Sequence, residues 1–394
     1  MKLCKTPAFL QDDTLRPAFY VLLTALAVLL RLSLLPVSNG DYTMFLHPWF
    51  QEIQLAGGFP ALAEPVGDYT PAYLYLLAFL TYLPGYDLYL IKLPSCAVDF
   101  LLAFLVMRVV REFRPGPFSE MGAFFLVLFF PPVFLNSAGW GQCDGFYISA
   151  LTACFLSCLH GKSNRAMLAF GVAFMLKLQA VFFAPFLLLL LLKRRLTWRS
   201  VLLVPAVYVA SIVPAALLGR DFGELLTIYF RQTGTYPQLC MGIPNLYAFL
   251  GDQANEFVSR AGVLLAGAIV VLVLFFLVVR TYPLTKEFYL TAAFFFLFLV
   301  PYLLPHMHER YFMPADIFGL FYLFRYPKRF YIPLVLAVVD TLGQANFLFG
   351  IDPYNPIQPM SLLVLLVLVL LFGFLLSETG VKFPGKRAEK PQHT

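Results

Sequence analysis

The chain has 394 residues, of which 60% are hydrophobic, 17% aromatic and only 13% charged, with a mean hydropathy of +0.78. That balance excludes a soluble enzyme or a nucleic-acid binder and defines a polytopic membrane protein. The formal net charge of +6 comes from basic residues near apolar segments, where they set orientation rather than mark an acidic partner.

The first apolar run, Pro17 to Leu35, is close to the roughly 20 residues a helix needs to cross the hydrocarbon. No small-residue cleavage site follows, so it reads as a retained helix rather than a signal peptide. An outer loop, residues 37–87, comes next. It carries a short amphipathic surface helix from about Met44 to Ala56 and the apolar stretch "PAYLYLLAFLTYL", Pro71 to Leu83. That stretch is too short for an ordinary span, and counting it as one would send Arg108, Arg111 and Arg114 outside.

Further spans are predicted over Leu88–Met107, Ser119–Leu135, Gly145–Leu159, Ala166–Leu192, Val201–Leu218, Ala261–Val279, Phe288–Leu304, Phe312–Phe324, Tyr331–Phe349 and Ser361–Leu376. The segment Ala166–Leu192 has basic residues at both flanks and Lys177 and Gln179 in its middle. It therefore reads as a hairpin of two short helices with Lys177 at the tip. The count becomes about twelve crossings with both termini cytoplasmic, and most of the 28 Lys and Arg then lie inside. Arg31, Lys92, Lys177, Arg220, Arg231, Arg260 and Arg310 are the exceptions that require a reason.

The expected fold is therefore an all-α membrane protein, one integral domain over residues 1–394, with two sizeable outer loops at 37–87 and 219–260. No internal repeat or separate soluble domain stands out. Six scattered cysteines without a CxxC pair indicate neither a zinc site nor a disulfide framework. Because the long loops share one face, function is expected at the extracytoplasmic surface. Four clusters meet there: Asp41 with His47 and Glu52; Asp68 and Tyr69 in "GDYTP"; "NSAGWGQCDG" with Gln142 and Asp144; and "PHMHERYFMP" with His306, His308, Glu309 and Arg310.

These stretches, with "FLHPWF", "GDYTPAYLYLL", "IKLPS", "KLQAVFFAPF" and "HERYFMPAD", resemble the GT-C superfamily of membrane glycosyltransferases. The likeness is nearest to the bacterial mannosyltransferase-like proteins related to the second GPI mannosyltransferase, and it runs through nearly the whole chain. A more distant likeness joins Asp41-Tyr42, Asp68-Tyr69-Thr70-Pro71 and "HER" to the dolichyl-phosphate-glucose glucosyltransferases, whose third motif reads His-Glu-Lys. Arg310 departs from that motif but keeps the charge.

The resemblance implies inverting transfer of a sugar, possibly a hexose such as mannose, from a polyprenyl-phosphate donor to a glycan or lipid-linked acceptor at a cell-surface membrane. It places the general base at Asp41. A lipid phosphate leaves without protonation, so one carboxylate suffices, and no cofactor or metal is expected. Arg310 is the first candidate for the donor phosphate because guanidinium binds phosphate through two nitrogens and stays charged. His306, four residues earlier, would share its face on a helix beginning there. Lys177 is the second candidate, since an intramembrane cation needs an anion. Asp68, Tyr69, His47, Gln142, Asp144, Gln179, His308 and Glu309 are substrate-binding candidates.

Simpler roles compete with these. Asp41 could cap the surface helix, Asp68 could shape a turn, and Arg310 and Lys177 could reach for the interface. Buried Asp99 and Asp340 are expected to pair with polar neighbours, with Lys92 a partner for Asp99. A rival reading is a glycolipid transporter or flippase whose ion relay would use Asp99, Asp316 and Asp340. It would demand intact midplane aspartates, whereas sugar transfer demands the outer-loop Asp41. A receptor or assembly scaffold is the third reading, and it leaves the clustered acid, histidines and arginine unexplained. Asp41, Asp68, His306, His308 and Glu309 have the oxygen and nitrogen ligands for a metal site, but none is expected.

Overall fold

The computed structural model describes residues 15–232, 238–250, 256–350 and 357–381. Cys4 and the terminal cations Lys2, Lys5, Lys382, Lys386, Arg387 and Lys390, which bear on the placement of both termini, lie outside the described residues, as do residues 233–237 and 251–255 of the loop expected at 219–260. The described residues are mostly helical with almost no strand, because in hydrocarbon only a helix satisfies every backbone group within its own segment.

Helix α1 (Leu15–Leu34) is followed by a widened π-type turn over Tyr42–Leu46, then by α2 (His47–Leu55) and α3 (Pro71–Leu80). The long α4 (Asp87–Phe113) leads to α5 (Pro117–Leu128) and the one-turn α6 (Pro131–Phe134), which runs into a second π-type turn at Leu135–Trp140. Next come α7 (Asp144–Leu159), α8 (Ser163–Leu176), a tight turn at Leu178–Phe183, α9 (Ala184–Leu192), α10 (Leu203–Leu218) and α11 (Phe222–Gln232). The last third holds β1 (Cys240–Met241), α12 (Glu256–Val279), α13 (Lys286–Leu303), β2 (Met307–His308), α14 (Met313–Arg325), α15 (Tyr331–Phe349) and α16 (Ile357–Glu378).

Among the described residues, seven helices are long and apolar enough to cross a membrane, or eight if the bent pair Pro117–Leu128 and Pro131–Trp140 is one span. Four shorter apolar helices, Pro71–Leu80, Asp144–Leu159, Ser163–Leu176 and Leu178–Leu192, accompany them. The predicted hairpin is present as a break at Lys177, whose backbone is extended between α8 and the turn that opens toward α9. Helix α13 is buried along nearly its whole length and packs on α14 and α16; α7 packs on α4 and α8.

Two of the cations that the charge rule left as exceptions have structural tasks. Arg31 donates from Nε to Asp99 at 2.8 Å, and Ser137 donates to the same carboxylate oxygen at 2.6 Å. The expected Lys92–Asp99 pair is therefore corrected. Fully buried Lys92 instead sends its ammonium to the carbonyls of Leu34, Leu35 and Val37, at 3.3, 3.1 and 2.6 Å. The carbonyls at a helix C-terminus lack partners of their own and carry partial negative charge, so α1 and α4 are joined by the charge that ends α1. Lys92→Met should lower stability by about 3 kcal/mol, the loss of a charged donor to several buried carbonyls. Unfolding titrations in detergent measure it, and a loss below about 1 kcal/mol would mean that solvent replaces the ammonium there.

At the opposite end of the bundle, Lys286 and His160 meet Glu112, and Arg325 meets Glu287 at 3.0 Å. Arg111, Lys193, Arg280 and Arg329 belong to that same end.

Candidate active site

The start of α2, the 65–70 loop, the start of α7, the break at Lys177 and the segment before α14 converge on one cavity of about 400 Å³. Asp41, Asp68, Gln142, Lys177, His308 and Arg310 all line it. The first π-type turn contributes Phe45 and Leu46 to its lining, and such turns are frequent at functional sites.

Asp41 precedes the first of these turns but makes no capping bond. Asn39 does that work: its Oδ1 accepts from the Tyr42 amide at 3.1 Å and its side-chain amide donates to the Trp140 carbonyl at 2.9 Å. The Asp41 carboxylate is thereby released toward the cavity. Its Oδ2 accepts from Trp140 Nε1 and Gln142 Nε2, each at 2.8 Å. Among the described residues no donor reaches Oδ1, the oxygen left to take a proton.

Trp140 is the member of this group that the sequence reading quoted in a motif and did not single out. Its buried ring stacks on Phe347 with centroids 4.0 Å apart, and the Arg310 guanidinium lies 4.8 Å from the ring centre. Gly141 (φ +83°) turns the chain sharply after Trp140, which lets Gln142 face the cavity and Asp144 open α7. Only glycine adopts that backbone readily.

Asp144 is the electrostatic anchor. It is fully buried, ion-pairs with Lys177, lies 3.4 Å from Arg310 Nε and accepts from Asn136 Nδ2 at 2.8 Å. Asn136 was likewise not singled out from the sequence. Arg310 also approaches Asp41, Nη1 to Oδ2, at 3.7 Å, yet Nε and Nη1 have no hydrogen-bond partner. Burial disfavours the guanidinium charge, but the carboxylates of Asp144 and Asp41 more than offset it and hold its pKa above the ordinary value. A buried cation held without full hydrogen bonding is prepared for an anion.

The segment before α14 is not the helix expected from the spacing of His306 and Arg310. Helix α14 starts only at Met313, and His306 has a left-handed backbone, φ +61°. The cause is pairing: Met307–His308 runs parallel to Cys240–Met241, and the His306 amide donates to the Leu239 carbonyl. His306 lines the cavity while its ring is bonded to Ser259 Oγ at 2.6 Å and the Gln238 carbonyl at 2.7 Å. His308 and Arg310 face the cavity, while Glu309 lies between Gly242 and Gly343, where a Cβ added to Gly242 would fall 2.5 Å from the glutamate. Burial lowers the His308 pKa, a hydrogen bond with Glu309 opposes this, and neighbouring Arg310 adds to the lowering.

The other candidates divide. Tyr69 donates to Gln142 Oε1 at 3.2 Å, and Gln179 donates to the Tyr311 hydroxyl at 2.7 Å; both line the cavity. His47 is paired with Asp87 and does not line it. Asp68 is open to the cavity, held on a loop whose Gly67 lies against the Trp49 ring. Removal from bulk water raises its pKa, and Lys177 and Arg310 only partly counter this. The far wall is apolar, with Leu176, Leu178, Val181, Phe182, Val263 and Leu304. Among the described residues no group of three or more His, Cys, Asp or Glu is arranged to hold a metal ion.

A predominantly helical membrane bundle whose acid, cations and apolar wall share one cavity has the architecture of a membrane glycosyltransferase of the GT-C type. The model of Glycosyltransferase family 87 matches residues 68–301, more than half of the chain, and the protein belongs to that family. The match takes in Asp68, Gln142, Asp144 and Lys177, while Asp41 and Arg310 fall outside its limits. No curated protein matches the chain.

Proposed function

We propose that the protein is an inverting glycosyltransferase that moves a sugar from a polyprenyl phosphate to a glycan or lipid-linked acceptor at the extracytoplasmic face. The observation that carries this reading is the pair Asp41 and Arg310 on one cavity, the first with an open oxygen and the second with unpaired nitrogens. The apolar wall suits the first units of a lipid tail, and Lys177 and Arg310 suit the phosphate.

Asp41 takes the proton of the acceptor hydroxyl as its oxygen forms a bond to the anomeric carbon. The bond from that carbon to the phosphate oxygen breaks, and its electron pair leaves with the lipid phosphate. Attack from the side opposite the phosphate inverts the configuration. Arg310 gains most from the charge that collects on the leaving oxygens, so it favours the transition state over the bound donor. A hexose donor such as mannose rests on the family likeness alone. The transport reading loses one of its three aspartates, because Asp99 is fixed to Arg31 and Ser137 rather than available as a relay.

The test is transfer in vitro from synthetic polyprenyl-phosphate sugars to lipid-linked acceptors, with product mass and anomeric configuration determined. Transfer from a nucleotide sugar and from no lipid phosphate would overturn the donor assignment.

The proposed membrane arrangement has twelve crossings, α3 on the outer surface, both termini inside and the Glu112–Lys286 end cytoplasmic. A cysteine at Arg114 should therefore resist an impermeant thiol reagent in sealed cells and react once they are opened. Labelling in sealed cells would reverse the assignment of every later segment.

A further inference from the structure

The Arg310 guanidinium is buried beside two carboxylates, with Nε 3.4 Å from Asp144 Oδ2 and Nη1 3.7 Å from Asp41 Oδ2, yet neither nitrogen has a hydrogen-bond partner. Opposite charges this close in a site shielded from water ordinarily close the gap and bond. Here the oxygens that face the guanidinium are already occupied by neutral donors. Asp144 Oδ2 accepts from Asn136 Nδ2 at 2.8 Å, and Asp41 Oδ2 accepts from both Trp140 Nε1 and Gln142 Nε2 at 2.8 Å. A carboxylate oxygen offers about two lone-pair sites, so Asp41 Oδ2 is full.

Trp140 fills one of those sites from a fixed position. Its side chain is fully buried, and its ring stacks on Phe347 with the planes 11° apart. A Cβ on Gly139 would fall 2.9 Å from Leu348, so the glycine lets this segment press against α15. The Arg310 guanidinium lies over the same ring, 4.8 Å from its centre. An indole N–H donates and does not accept, so Trp140 can serve Asp41 without taking a hydrogen bond from Arg310. What it offers the guanidinium is its π face, which attracts a cation and leaves the N–H groups free.

We propose that Trp140 is a positioning residue that keeps the base and the phosphate-binding cation from quenching one another. By filling Asp41 Oδ2 and holding Arg310 against its ring, it leaves the acid for the acceptor proton and the guanidinium for the leaving phosphate. Without the indole N–H, Arg310 Nη1 at 3.7 Å needs to move only about 0.8 Å to reach the usual hydrogen-bond distance of about 2.9 Å from Asp41. Each group would then be the other's partner instead of the substrate's. This deepens the transferase reading above and rests on it, but its test does not require turnover.

The full-length protein in nanodiscs is titrated with octyl phosphate, and binding is read from the broadening of its phosphorus NMR signal. Trp140→Phe keeps a stacked ring and loses the donor. It should weaken octyl phosphate about tenfold, the scale of one hydrogen bond to a charged group, although the indole N–H bonds Asp41 and not the probe. Adding Asp41→Asn to Trp140→Phe should return the affinity to that of Asp41→Asn alone, because the amide no longer draws the guanidinium. A residue that merely supported the fold would give no such rescue. Phe347→Leu removes the backing of the ring but no donor; it should act in the same direction and more mildly, with the same rescue, and it serves if Trp140→Phe does not fold. Thermal stability is recorded for each variant. Unchanged affinity in Trp140→Phe, or a loss that Asp41→Asn does not restore, would overturn the proposal. Absence of octyl phosphate binding to the wild-type protein would instead sink the phosphate reading of Arg310, and melting temperatures then decide the role of Trp140. The effects of Asp41→Asn and Arg310→Lys should depart further from additivity in Trp140→Phe than with the tryptophan in place, and equal coupling in the two backgrounds would overturn it.

Discussion

Asp41→Asn is expected to lower turnover by about a hundredfold or more, with the fold and donor affinity retained, because a positioned general base is worth that much. The amide is nearly the size of the carboxylate and still has an oxygen to accept from Trp140 and Gln142, so the pocket is conserved while the proton acceptor is gone. Donor binding, measured without acceptor, separates the two effects. A folded Asp41→Asn variant with near-normal turnover would remove the base from the mechanism and direct attention to Asp68, the other carboxylate on the cavity.

Arg310→Ala is expected to reduce both donor affinity and turnover, with a fall in kcat of about a hundredfold, comparable to loss of a preorganised donor to developing negative charge. Arg310→Lys should recover part of the loss, because the charge returns but the planar fork does not. Lys177→Ala should act in the same direction and more mildly, since Asp144 holds its ammonium in the absence of donor. Measured kcat and donor KM, with thermal stability recorded for each variant, decide this. Unchanged kinetics in both alanine variants would reduce these cations to structural partners of Asp144.

Much of this arrangement is legible in the sequence, and the parts that are not share a cause. Apolar length and flanking charge locate helices reliably, because the hydrocarbon imposes both. The hairpin at Lys177 follows from basic residues on both flanks of one run. By contrast, Lys92 and Asp99 are seven residues apart on one helix and invite pairing, yet each finds its partner on another element. Spacing along a helix says which residues share a face but nothing about what the facing element offers. The error at His306 and Arg310 is similar: a four-residue interval resembles a helical turn, and the pairing of Met307–His308 with Cys240–Met241 overrides it. Trp140 could have been noticed as an aromatic donor between two glycines in "AGWGQ". Its contact with Asp41, 99 residues away in sequence, could not.

The stack of Trp140 on Phe347 has a bearing on how the protein is made. Asp41 is aimed by Trp140, Trp140 is backed by a residue of α15, and Arg310 enters just before α14. Chains emerge from the ribosome N-terminus first. A nascent chain that has inserted everything through α13 already carries the acid, Lys177 and Asp144, but has neither the guanidinium nor the ring's support. Competence for transfer therefore arrives late in biosynthesis, after nearly every helix is in place, and a ribosome that stalls or terminates early releases a protein that can occupy the membrane without transferring a sugar.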